Sequence, residues 1–318
     1  MKANKALFII LLIALALRLA YGYYASSLPL QMDEKIYDAL AKSLVAGRGF
    51  SFTEPAFFTV MPNTPTSFWE PIYPLFVALI YYLVGPIAVG VKITQAFVWL
   101  LIVYIVYLLG KEILGEREGA IAAGLTAVNP YFIYLSGSLL TENIYILLLT
   151  LSFLFLIRSI RQANKLNYVL SGACFGLSAL TRETIIYFIP VCLVWLYFCV
   201  PERKAVLNRI AIFICTLVLV VMPWSIRNYI VHGRFHLIST KGGFNLYVAN
   251  SADYRFKDWE IITPEVSART ELDKNAALYK LGFKSIMANP TRFVRNGIIK
   301  LGGFWSLIPN NPDNRSRP

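Results

Sequence analysis

Residues 72–84 read IYPLFVALIYYLV, and whether they cross a bilayer decides the fold. A spanning helix needs about 17–25 predominantly apolar residues. This stretch has 13, bounded by Pro71 and Gly85 and interrupted by Pro74. Longer apolar runs lie on either side, at 6–24, 89–109, 119–135, 142–158, 167–182, 184–200 and 206–224. Arg158, Arg161 and Lys165 form a basic loop without acids; Arg203, Lys204 and Arg209 form another, with Glu202 as its one acid. The positive-inside rule puts both loops in the cytoplasm. Counting back, 142–158 starts outside, 119–135 runs outward and 89–109 runs inward. The first run follows Lys2 and Lys5 and delivers residue 25 to the outside, which is consistent only if 72–84 does not cross. The stretch therefore reads as an interfacial or re-entrant helix. The expected count is seven crossings, with the N-terminus in the cytoplasm and the C-terminal tail outside.

Composition sets the same class. Of 318 residues, 57% are hydrophobic and 15% charged, with a mean hydropathy of +0.57. Soluble domains run near half apolar and a quarter charged, and disorder needs low hydrophobicity with high charge. Both are excluded, which leaves an all-α integral membrane protein. On a soluble protein the net charge of +12 would suggest nucleic acid. Here the excess sits in loops between apolar runs, where lipid headgroups or phosphates are the counter-ions and no nucleic acid is expected. The first run could be a signal peptide, but no small-residue cleavage site follows it. Tyr21, Tyr23 and Tyr24 instead form an interfacial aromatic belt, so it reads as a retained helix in a multi-pass protein of the plasma or inner membrane. Cys174, Cys192, Cys199 and Cys215 fall inside apolar runs without a CxxC pair and read as small core residues.

Residues 1–225 are expected to form the membrane module and 226–318 an extracytoplasmic C-terminal segment. Within the first outer region, 25–88, interfacial helices are expected at 34–46 and 72–84. Its 25–70 portion has five acids against three bases, whereas the tail from Arg227 onward has fourteen bases against seven acids. An acidic loop and a basic tail on one face suggest a site assembled from both. Asp33 and Glu34 open a helical pattern; Asp33 reads either as its cap or as a general base at the membrane surface. Glu142 is the one charged residue between Glu118 and Arg158, and reads either as a dipole partner for its helix or as a site acid. Arg182 can snorkel to the interface or hold a phosphate with its planar fork, with Glu183 beside it as a partner. Arg227 and Lys241 are further outer cations, and Gly242-Gly243 allows either a turn or close approach to a ligand. Arg18 reads as snorkelling or bundle-facing. His232 and His236 lack the HExxH pattern of a helical zinc site. Gly172-xxx-Gly176, with the similar pair GLTAV and GLSAL, marks tight helix contacts. No phosphate-cradling glycine loop, nucleophile elbow or dinucleotide fingerprint is present.

An ordered series then carries a resemblance: MDEKIYDAL (32–40), EPIYPLFVALIYYLVG (70–85), LLTENIYILLL (139–149), GLSALTRETIIYFIP (176–190), PWSIRNY (223–229) and ISTKGGFNLYVANS (238–251). Over about 220 residues, this order and spacing resembles the GT-C membrane glycosyltransferases, in particular the dolichyl-phosphate-mannose-protein mannosyltransferase and aminoarabinose-transferase group. The resemblance implies a GT-C-like bundle of seven helices with interfacial helices in its first outer loop. It also implies transfer of a sugar from a polyprenyl-phosphate carrier to a lipid, glycan or protein acceptor on the outer face, in glycan or lipopolysaccharide biosynthesis of the cell envelope. On the matching motifs it makes Asp33-Glu34 the Asp-Glu pair with Asp33 as base, Glu142 the second-loop acid, and Arg182 the cation near the carrier phosphate. Tyr37, Glu70 and Asn245, within the same motifs, complete the candidate set. Glu70 departs from relatives that carry a base beside that proline, which shifts a phosphate-binding role onto Lys241 or Arg227. No cofactor is implied with certainty: the family is mixed on metals, and a divalent cation is left open. Relatives also continue with further membrane helices, whereas residues 290–308 read as the approach to a helix that does not follow.

Two rivals stand beside the enzyme. A lipid or sugar carrier or flippase would place its polar residues near the bilayer midplane on broken helices, often in repeats, whereas here the charges gather at one rim and no clear repeat is visible. An inactive paralogue would bind lipid without turning it over.

Overall fold

The computed structural model describes residues 2–54, 61–162, 164–199, 203–250 and 270–304. Glu202, residues 55–60 of the expected first outer loop and the 305–318 end of the tail lie outside them. Among the described residues the chain is all-helical, apart from one isolated bridge between Ser51 and Pro65. This follows from the apolar runs, since in hydrocarbon a segment must satisfy its own backbone groups. The chain divides into a larger unit that ends at Ser239 and a smaller one from Thr240 onward.

In the larger unit α1 (Lys2–Ser26) leads to α2 (Met32–Val45) and α3 (Ile72–Val84). Then come α4 (Ala88–Ile113), α5 (Glu116–Val128), α6 (Pro130–Ser136), α7 (Glu142–Gln162) and α8 (Lys165–Ala179). A 3-10 turn (Glu183–Phe188) runs into α9 (Ile189–Cys199), and α10 (Arg203–His232) closes the unit. Among the described residues, four helices are long and apolar enough to cross a membrane: Lys5–Ser26, Ala88–Ile113, Glu142–Gln162 and Ala205–His232. They expose large apolar side chains such as Phe8 and Leu12 on α1, Phe97 on α4 and Leu219 on α10, as an exterior facing lipid does. The other three expected runs form shorter pieces. Run 167–182 folds as the 15-residue α8, and 184–200 as the 3-10 turn plus α9.

Run 119–135 is broken at Asn129-Pro130. Pro130 has no N–H to give the Thr126 carbonyl, and the Asn129 side chain caps α6 by accepting from the N–H groups of Tyr131 and Phe132. The carbonyls this break strands at the end of α5 are taken by Arg18. Its Nη1 donates to Ala127 O at 2.9 Å and to Ala14 O at 3.0 Å, and its Nη2 donates to Thr126 O at 3.1 Å. The guanidinium is buried 5.2 Å from the Trp99 ring centroid. Arg18 is thus bundle-facing, and its work is to satisfy a helix end.

Helix α8 packs between α7 and α10 around Tyr168, Phe175 and Phe213. A Cβ on Gly172 would lie 2.5 Å from the Phe213 carbonyl oxygen, and one on Gly176 3.0 Å from that of Leu217. The GxxxG pattern therefore marks a tight contact. Gly124 of GLTAV has only ordinary contact with Ile10, so the similar pentapeptide does not share that role.

In the smaller unit α11 (Gly242–Asn250) packs on α12 (Glu271–Ala288), and α13 (Pro290–Phe304) follows. Gly243 N donates to Asn275 Oδ1 at 2.7 Å, and a Cβ on Gly243 would collide with the Asn275 backbone. The close approach that Gly242-Gly243 permits is to α12.

Candidate active site at the helix ends

The site grows from the first turn of α2. Gln31 is the N-cap residue, so Asp33 is not the cap; it lies with Glu34 in the first turn, where the helix dipole favours acids. Glu34 Oε2 accepts the Gln31 N–H at 2.7 Å, one half of a capping box. Its Oε1 accepts the Leu139 N–H at 2.8 Å, which ties the start of α2 to the turn before α7. Glu34 is buried, whereas Asp33 is exposed.

One turn on, buried Tyr37 stands edge-on to Tyr73 with ring centroids 5.0 Å apart. The Tyr73 hydroxyl donates to Gln95 Oε1 at 2.7 Å, and Gln95 Nε2 donates to the carbonyls of Ser136 and Ser138, each at 3.0 Å. Asn143 Nδ2 donates to the carbonyls of Ser138 and Leu140 at 3.0 Å, while its Oδ1 accepts from Trp99 Nε1 at 2.6 Å. Buried amides thus fix the 136–141 turn whose N–H Glu34 holds. Sequence reading passed over Gln95 and Asn143, although an amide inside an apolar run was the visible signal, because a buried amide must find partners.

At the end of that turn Arg182 Nη1 donates to Glu142 Oε1 at 2.5 Å and to Thr141 Oγ1 at 3.1 Å. The pair is partly open, with side-chain exposures of 38% for Arg182 and 26% for Glu142. Buried Glu70 accepts the Glu183 N–H at 3.1 Å, and Glu183 Oε2 accepts from Ser239 Oγ at 2.7 Å. Burial pushes the Tyr37 hydroxyl well above the ordinary tyrosine range; Glu70 and Asp33 push the same way, Arg182 opposes and Glu142 adds.

Arg227 is placed differently. Its Nη1 donates to Thr66 O at 2.7 Å and Ser67 Oγ at 2.8 Å, and its guanidinium lies 4.6 Å from the Trp224 ring centroid. With His232 Nε2 also 2.8 Å from Ser67 Oγ, Arg227 pins the segment before Glu70 onto α10. Lys241 and Asn245 belong to the smaller unit, just before and inside α11. Between α8, the 3-10 turn and α10 lies an apolar cavity of about 260 Å³, lined by residues including Ile186, Leu217, Val221, Phe235 and Ile238. No group of three His, Cys, Asp or Glu side chains suited to a metal ion gathers among the described residues.

Spanning helices with an apolar exterior, and charges collected at helix ends around a buried tyrosine, define an integral membrane protein with a polar site at the rim of its bundle. The model of the dolichyl-phosphate-mannose-protein mannosyltransferase family matches residues 63–226, which is 164 of 318 residues. The chain belongs to that family, a family of GT-C membrane glycosyltransferases. The match covers Glu70, Glu142 and Arg182 and begins after Asp33, Glu34 and Tyr37. No curated protein matches the chain.

Proposed function

We propose that this chain moves a sugar from a polyprenyl-phosphate donor to a glycan, lipid or protein acceptor on the outer face of the membrane, by inverting displacement. The observation that carries the reading is the partly open Arg182 guanidinium held by Glu142 and Thr141, next to Glu183, whose N–H Glu70 accepts, in a member of a glycosyltransferase family. The exposed Asp33 takes the proton of an acceptor hydroxyl as that oxygen bonds to the anomeric carbon. The bond from this carbon to the phosphate oxygen breaks, and its electron pair leaves with the polyprenyl phosphate. Arg182 offsets the charge growing on that phosphate: both of its bonds to Thr141 and Glu142 use Nη1, which leaves Nη2 and Nε for the anion. Lys241 and Arg227 are the further candidate cations, Glu142 orients the guanidinium and the acceptor, and Asn245 is a candidate polar contact. The apolar cavity beside α10 takes part of the prenyl chain, each buried methylene contributing roughly 0.8 kcal/mol. In the topology that fits this reading, α5 with α6, α8, and the 3-10 turn with α9 complete seven crossings. The N-terminus is then cytoplasmic, and α2 and α3 lie at the outer interface.

The test is transfer by the full chain in lipid, using synthetic polyprenyl-phosphate sugars. Asp33→Asn should abolish turnover while leaving the thermal unfolding profile unchanged; wild-type turnover in that variant removes Asp33 as the base. Native mass spectrometry of the purified protein should find a co-purifying polyprenyl phosphate. Phospholipid alone, even after synthetic donor is added, would remove the donor assignment.

A further inference from the structure

The smaller unit carries a surface that the transfer reaction does not use. From Lys274 to Pro312 the sequence has six bases and no acid. Helix α13 within this stretch is amphipathic: Val294, Ile298 and Leu301 fall on one side, and Arg292, Asn296 and Lys300 on the opposite one. Its rotation is fixed by two bonds to the C-terminal end of α11. Arg292 Nη2 donates to Asn250 O at 2.9 Å and Lys300 Nζ to Ala249 O at 3.0 Å, cations at a helix end rich in free carbonyls. The polar side is thereby seated on the protein and the apolar side turned away from it, with Val294 58%, Ile298 66% and Leu301 62% exposed. Helix α12 repeats the pattern. Tyr279, Phe283 and Met287 form an exposed stripe at spacings of four, with exposed Lys280 and Lys284 adjoining it.

The geometry points to α12 and α13 as a docking surface for anionic lipid headgroups, with the apolar stripes entering the headgroup boundary and Lys280, Lys284 and Arg295 meeting the phosphates. An apolar face flanked by bases is what an interfacial helix presents to an anionic leaflet. A second copy of the same acid-free surface would meet it with like charge. The chain also joins this unit to a helix long and apolar enough to cross a membrane, because Thr240 follows eight residues after the end of α10 at His232.

The experiment is hydrogen exchange on the full chain in nanodiscs of phosphatidylcholine, alone or mixed with phosphatidylglycerol. Exchange across 280–301 should slow several-fold in the anionic discs at low salt, and the difference should shrink at high salt. Lys280→Gln/Lys284→Gln/Arg295→Gln removes none of the bonds to α11. It should erase the lipid dependence while α1–α10 exchange as in the wild type. Equal exchange in the two disc types would overturn the assignment. So would the same slow exchange in detergent, which would mean that protein covers the face.

Discussion

Replacing Glu34 with Gln separates framework from proposed chemistry at the start of α2. In the native protein one carboxylate oxygen accepts from Gln31 N at 2.7 Å and the other from Leu139 N at 2.8 Å. An amide has one acceptor oxygen, so one of these N–H groups must face an NH2, and the bond that survives is no longer to an anion. A hydrogen bond to a charged group contributes about 1.5–3 kcal/mol. If it is lost at Leu139, local opening becomes about 10- to 150-fold more frequent. Hydrogen exchange of the Leu139 amide in the full chain reads this directly, in peptides covering 136–142. The expected result is faster exchange there and across the start of α2, with the α8–α10 contact unchanged. Asp33→Asn should show the reverse pattern, losing transfer while Leu139 stays protected. Wild-type protection of Leu139 in Glu34→Gln would refute the tether and return Glu34 to the list of candidate catalytic acids.

Three further outcomes follow from the same contacts. Arg182→Ala should raise the KM for a polyprenyl-phosphate sugar about tenfold, the low end for a charge-assisted bond because the pair is partly exposed, and an unchanged KM would place the phosphate elsewhere. Arg18→Met strands the Thr126 and Ala127 carbonyls, at about 1–3 kcal/mol each less the relief of no longer burying a charge; the melting temperature should fall, and no fall would mean that the α5 end is satisfied another way. Because the fold raises the Tyr37 pKa, its neutral form is the one favoured: its contribution to stability is complete below about pH 10 and declines above it. The stability difference between wild type and Tyr37→Phe should therefore be flat through neutral pH and shrink only beyond that point; a change between pH 6 and 8 would contradict a buried neutral tyrosine.

Local punctuation made some elements legible and left others hidden. Helix α3 forms over the 72–84 stretch because Pro71 starts it and Gly85, at φ +89°, ends it. Helix α2 starts two residues before the expected 34, because Gln31 takes the cap that Asp33 was expected to supply. Hydropathy treated 119–135 as one run, although Asn129-Pro130 inside it was a visible turn signal. The Glu34 to Leu139 bond joins residues 105 apart, and nothing local in either segment foretells it. Arg227 is a cation whose type suits a phosphate; the fold shows in addition that its Nη1 bonds Thr66 and Ser67. Residue type limits what a side chain can do, and its neighbours decide which of those things remains open to it.

The acids of this rim show how that choice is made. Glu34 and Glu70 are buried and accept backbone N–H groups from distant segments, Leu139 and Glu183. Either would have to surrender such a bond to take a substrate proton, at the cost of leaving a buried donor unmet. Glu142 is paired with Arg182, and protonating it would weaken its hold on that cation. Asp33 is exposed beside Glu34 on the first turn of α2, where solvent can reach it. One residue along the same turn separates the carboxylate that holds the loops together from the one proposed as the base. The shorter side chain is the one left outside, and the longer one spans to Leu139. Exchanging the two would shorten the arm that reaches Leu139.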